Sequence, residues 1–150
     1  GLEPRVTAVG GTFALMGLAA LPPGQPPAAA LVIAVALMVA GFAASAYALH
    51  FLGRSFSIAP TARELITTGP YGLVRHPLYL AEAITTAGMI LSHWSWGAIA
   101  LAITQLALQY RRIHHEENIL RAAFPDSYDA YARRVPQLVP GLRPAQAAAA

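Results

Sequence analysis

The chain has no cysteine and no lysine, and few charges of either sign. Without cysteine neither a disulfide nor a thiolate-ligated metal can form. Only 11% of the 150 residues are Asp, Glu, Lys or Arg, against about 25% in an ordinary soluble domain. No charged residue occurs in residues 6–53, nor again in residues 83–110. No strand followed by a Gly-x-Gly turn and a helix occurs either, so a dinucleotide-binding Rossmann domain is not expected. The net charge of +3 is too small, and too clustered beside the apolar runs, to imply a nucleic-acid partner.

What the chain does have is apolar length. Apolar residues make up 56% of it and the mean hydropathy is +0.49. A membrane-spanning helix needs about 20 predominantly apolar residues, and four segments are read as spans. The first covers residues 5–21; its apolar content is signal-like, but no small-residue cleavage pattern follows. A Pro-rich breaker at 22–27 precedes the second, residues 28–52. The third starts at His76-Pro77, with proline in a first-turn position where it forfeits no hydrogen bond, and ends near Leu91. The turn at 92–97 carries two tryptophans, suited to a membrane interface. The fourth runs from Ala98 through Tyr110 and leaves the membrane as a helix to Ala123. Beyond Pro125, Asp126 is expected to cap a short helix bearing Tyr128 and Tyr131. The predicted fold is therefore all-α and polytopic, a single domain over residues 1–150. A motif-bearing core at 52–142 is followed by a disordered tail at 143–150.

Arginine placement sets the expected topology. The turns at 22–27 and 92–97 have none, the 53–76 connection has three, and the chain beyond Tyr110 has six. By the positive-inside rule both termini and the 53–76 connection lie in the cytoplasm, which for a bacterial chain means the inner membrane.

Two ionisable clusters then share one membrane face. One is Arg75-His76 with Pro77, Leu78 and Tyr79; the other is Arg112 with Glu116 and Glu117. Each also has a plainer reading, as an interfacial anchor and as an i,i+4 surface pair. Glu82, two turns inside the third apolar segment, is harder to dismiss, because intramembrane carboxylates usually face a partner or cavity. His114 and His115 with Glu117 do not read as metal ligands, since adjacent helical side chains diverge by about 100°.

Together these residues form a pattern. Gly69-Pro70-Tyr71, Val74-Arg75-His76-Pro77 and Tyr79 are followed by Arg112, Glu116-Glu117 and Leu120. Phe124, Tyr128, Tyr131 and Val135-Pro136 complete it. The pattern resembles the isoprenylcysteine carboxyl methyltransferase family and, more distantly, the phospholipid N-methyltransferases. It covers residues 52–142 and departs twice, with Pro125 and Ala81 where glycine is common. The resemblance implies a membrane enzyme using S-adenosylmethionine and releasing S-adenosylhomocysteine. It further implies that Glu116 and Glu117 meet the cofactor's ammonium or ribose, and that His76, Pro77, Leu78 and Tyr79 wall it. Arg75 or Arg112 would hold a carboxylate, and Glu82 would face the same cavity. The substrate implied is a lipophilic or amphiphilic molecule entering from the lipid, most simply one methylated on a carboxylate, with no obligate protein partner. The alternatives are a nicotinamide-dependent reductase of sterol-reductase type and a non-catalytic transporter or assembly subunit.

Overall fold

The computed structural model describes residues 22, 24–53 and 65–142. The span expected at 5–21, the part of the polar connection carrying Arg54, Arg63 and Glu64, and the tail at 143–150 lie outside them. Regular structure among the described residues is all helical. It comprises α1 (Ala28–Leu52), a 3₁₀ turn (Gly69–Gly72), α2 (Pro77–His93), α3 (Trp96–Ala123) and α4 (Pro125–Arg134).

The 25 residues of α1 extend about 37 Å at 1.5 Å per residue. This helix is long and apolar enough to cross a membrane. It is also turned inside out relative to a soluble core helix. Val32, Ile33, Val35, Val39 and Phe42 are all more than half exposed, while Ala34, Gly41 and Ala48 are buried. The seven-residue spacing of those three small residues makes one narrow seam, and α2 lies along it. A β-carbon on Gly41 would strike Thr85 and the Ala81 carbonyl, and one on Gly88 would strike Ala34 and Met38. Small residues on both sides let the backbones approach, as in helix pairs within lipid. Ala81, one of the two departures from the family pattern, is buried at this seam with its carbonyl beside Gly41.

The helices α1 and α2 are antiparallel. The Gly24 amide donates to His93 O at 2.8 Å at one end, and Gly69 packs on Phe51 at the other. Of the expected spans, α2 has 17 residues, at the short limit for crossing a bilayer. The apolar part of α3 ends where Arg111-Arg112 begins. By length and composition α1 alone qualifies as a span among the described helices.

Two local expectations need correction. The turn between the third and fourth apolar segments is shorter than 92–97, because α2 runs to His93 and α3 begins at Trp96. Trp94 adopts a left-handed conformation (φ 46°) to end α2, and the Ser95 hydroxyl accepts from the Ala98 amide to start α3. Asp126 does not cap α4. Phe124 is the N-cap, Pro125 occupies the first turn, and Asp126 sits inside it. There its charge complements the helix dipole.

Candidate active site

Glu117 is the most heavily bonded side chain of the site. Its Oε1 receives Arg75 Nε at 3.0 Å, Arg75 Nη2 at 2.9 Å and Gln137 Nε2 at 3.1 Å, with His76 Nε2 at 3.2 Å. Its Oε2 receives Arg121 Nη2 at 3.0 Å. Burial alone would raise the pKa of this carboxyl. Hydrogen bonds from His76 and Gln137 and the charge of Arg75 outweigh that and hold it well below the usual carboxylate range. Arg75 is similarly committed, its Nη1 donating to Ala132 O at 2.9 Å and Val135 O at 2.7 Å.

The backbone explains how residues so far apart in sequence meet. Past the end of α4 the chain turns back along the segment leading into α2. There Arg75 N donates to Pro136 O (2.8 Å) and His76 N to Gln137 O (3.1 Å). The Tyr131 hydroxyl donates to Tyr71 O at 2.6 Å and ties α4 to the 3₁₀ turn. The Arg121 guanidinium stacks over the buried Tyr128 ring at 5.3 Å. Val135-Pro136 and the tyrosines of α4 therefore form a strap that holds Arg75 and His76.

A second group surrounds Tyr79. The Arg112 guanidinium lies 5.3 Å from its ring centroid, and the His76 ring is 5.6 Å away at a tilt of 55°. The Glu116 carboxylate is close enough to its hydroxyl to act on it electrostatically. One turn deeper, Gln109 Nε2 donates to Glu82 Oε2 at 2.6 Å and to Tyr79 O at 3.4 Å. The pairings Tyr79 with Arg112 and Glu82 with Gln109 show α2 and α3 running antiparallel in register.

The structure thus brings together His76, Tyr79, Glu82, Arg112, Glu116, Glu117 and Arg75, with Pro77 and Leu78 forming the first turn of α2 between them. It separates their surroundings. Arg75 and Glu117 bond to each other and to the strap, whereas Arg112 and Glu116 lie around Tyr79, half-buried. His114 and His115 are exposed, with His114 against Tyr110 at 4.3 Å between ring centroids. Among the described residues no group of three or more His, Asp or Glu side chains is gathered as metal ligands.

Three participants escaped the sequence reading: Gln109, Gln137 and Arg121. Neutral amides carry no charge signal. The buried face of α3 (Ala98, Ala102, Gln105, Gln109, Ile113, Glu117) does have a helical three-to-four spacing, and that spacing could have found Gln109.

Comparison with known proteins agrees with the pattern read from the sequence. Residues 24–127 match the phospholipid methyltransferase family. Protein-S-isoprenylcysteine O-methyltransferase B of Arabidopsis thaliana is 36% identical over 94 residues, 59% of this chain and 48% of the plant protein. The Schizosaccharomyces pombe protein-S-isoprenylcysteine O-methyltransferase is 34% identical over 95 residues, 59% of this chain and 40% of its own length. The nickel-cobalt-cadmium resistance protein NccN of Alcaligenes xylosoxydans xylosoxydans is 36% identical over 96 residues, 63% of this chain and 42% of that protein. The chain spans less than half the length of each of these relatives.

Proposed function

The chain belongs to the phospholipid methyltransferase family, and from that premise we propose that it transfers a methyl group from S-adenosylmethionine to a lipophilic acceptor at a membrane surface. The observation that carries this reading is the group around Tyr79. A carboxylate (Glu116), a guanidinium (Arg112) and an aromatic face meet where apolar helices end. A cofactor with an α-ammonium, an α-carboxylate and a sulfonium needs such a mixed donor set. In this reading Glu116 holds the ammonium. The first-turn N–H groups of Leu78 and Tyr79, which lack intrahelical acceptors, suit the cofactor carboxylate.

The cofactor, when bound, supplies an electrophilic methyl group. The protein's own task is then alignment and exclusion of water, which can be worth ~7–11 kcal/mol for a displacement at carbon. Arg112 and Glu82 flank the acceptor, with Glu82 fixed by Gln109. Arg75 and Glu117 act one step back, holding His76 and the start of α2 in place. The acceptor group is a carboxylate in this proposal, supported by the O-methyltransferase names of two relatives. Such a group needs no base because it is already ionised, and Arg112 offers it a planar fork.

Four spans complete the proposed architecture: residues 5–21, α1, α2 and the first half of α3. Both ends of the chain and the 53–76 connection then face the cytoplasm of a bacterium, at the inner membrane. The acceptor enters from the lipid between helices. Family membership favours this reading over a nicotinamide-dependent reductase or a non-catalytic subunit. Calorimetric titration of the detergent-solubilised protein with S-adenosylhomocysteine and, separately, with NADPH tests it. Saturable binding of the first alone is expected; binding of NADPH alone, or of neither by folded protein, would overturn it.

A further inference from the structure

The inward face of α3 carries two amides in its apolar half, and the site around Tyr79 accounts for one of them. Gln109 bonds to Glu82 and Tyr79. Gln105, one turn deeper, is 4% exposed, and its Oε1 is closed off from solvent with no hydrogen-bond partner. The register that pairs Tyr79 with Arg112 and Glu82 with Gln109 brings Thr86 level with Gln105. Thr86 is also buried, but its hydroxyl donates to Glu82 O at 2.9 Å, so its proton is spent. An acceptor left unpaired in a low-dielectric interior is costly, and an apolar side chain of the same size would avoid that cost.

We propose that Gln105 reads an intramembrane subsite for an amphiphile that carries a hydroxyl or amide N–H group part-way down its chain. A bridging water could donate to Oε1 and to the Thr86 hydroxyl oxygen, and it would give no preference among the probes below. A chain-borne donor sliding between the helices needs only the one acceptor. Gln105 lies seven residues from Arg112 on the same helix, about 10 Å along the axis. The ligand class is therefore an acyl amphiphile with its head beside Arg112 and a hydroxyl or N–H about that far along its chain. Calling this ligand the methyl acceptor rests on the function proposed above; the subsite itself does not.

The test uses the full chain in lipid nanodiscs and three probes: 8-hydroxyhexadecanoate, 8-methoxyhexadecanoate and hexadecanoate. Binding is read from the shift of thermal unfolding against probe concentration, for wild type, Gln105→Leu and Gln105→Met. Wild type is expected to bind the hydroxy acid roughly fivefold more tightly than either other acid, the worth of one net hydrogen bond. Both variants are expected to lose that preference while folding as stably as wild type without probe. Equal binding of all three acids by wild type would overturn the proposal, as would a preference that survives in the variants. Failure of both variants to fold would also overturn it, since Gln105 would then be structural. Titration of the same samples with S-adenosylhomocysteine separates the two questions. A hydroxyl preference without S-adenosylhomocysteine binding would sink the methyltransferase reading and leave the subsite standing.

Discussion

Arg75 places two nitrogens on a single oxygen of Glu117, Nε at 3.0 Å and Nη2 at 2.9 Å, and both side chains are less than a tenth exposed. The pair joins the segment before α2 to α3, and through the Ala132 and Val135 carbonyls to the last turn of α4 and the residue after it.

Removing one partner should be far worse than softening it. Glu117→Ala leaves a buried guanidinium uncompensated and is expected to cost about 3 kcal/mol or more. Glu117→Gln keeps volume and an acceptor oxygen and should cost less. Thermal unfolding in detergent checks this, and an unchanged midpoint for Glu117→Ala would refute the hub.

Glu116 should behave in the opposite way. It is half-buried beside Tyr79, so Glu116→Gln is expected to leave the unfolding midpoint nearly unchanged. Affinity for S-adenosylhomocysteine should fall by roughly tenfold or more, the worth of one charge-assisted hydrogen bond. Retained affinity would remove Glu116 from the proposed cofactor site.

The pH dependence has two limbs with separate causes. The carboxyl of Glu117 titrates well below its ordinary range when folded. Its contribution is complete above the unfolded value near 4.5 and is lost as pH falls below that. Glu117→Gln should flatten this acid limb. Burial, reinforced by the charge of Glu116, pushes the Tyr71 phenol up to about 12 from 10.0. Stability from that group is complete below 10 and lost as pH rises towards 12, and Tyr71→Phe should flatten the alkaline limb. Unfolding midpoints measured across pH in each variant decide both.

The seam between α1 and α2 has no room for side chains. Gly88→Val would drive a side chain into Ala34 and Met38 and is expected to cost about 1–3 kcal/mol by overpacking. Gly53→Ala makes a poor control because φ is +50° there; Ala43→Val, on the exposed face of α1, serves better. Comparable losses in both would argue against the seam.

The bounds of α1 were legible because a proline-rich break and an uncharged run mark them without tertiary help. The start of α2 was legible for the same reason, with Pro77 in its first turn. Pro125 was harder. In sequence it marks a stop before an Asp126 cap, yet its fixed φ serves equally well inside the first turn, leaving Phe124 as the cap. In the site, the charged residues other than Arg121 announced themselves, and the neutral partners Gln109 and Gln137 did not. Glu116-Glu117 read as an equivalent pair, but neighbours on a helix point about 100° apart. Only tertiary packing decides that Glu117 turns to Arg75 and Gln137 while Glu116 turns to Tyr79. The pairing of Arg75 and His76 with Pro136 and Gln137 joins segments some sixty residues apart, and no local pattern encodes it.

That last pairing also orders events in time. The backbone carbonyls of Pro136 and Gln137 are among the last described parts of the chain to leave the ribosome, and they close on Arg75 and His76, made well before them. The apolar helices are complete while the ion-pair cluster is still missing a wall. Assembly of the site therefore waits until Gln137 has been made, and a nascent chain stalled before Val135 would have its apolar helices but an unfinished site.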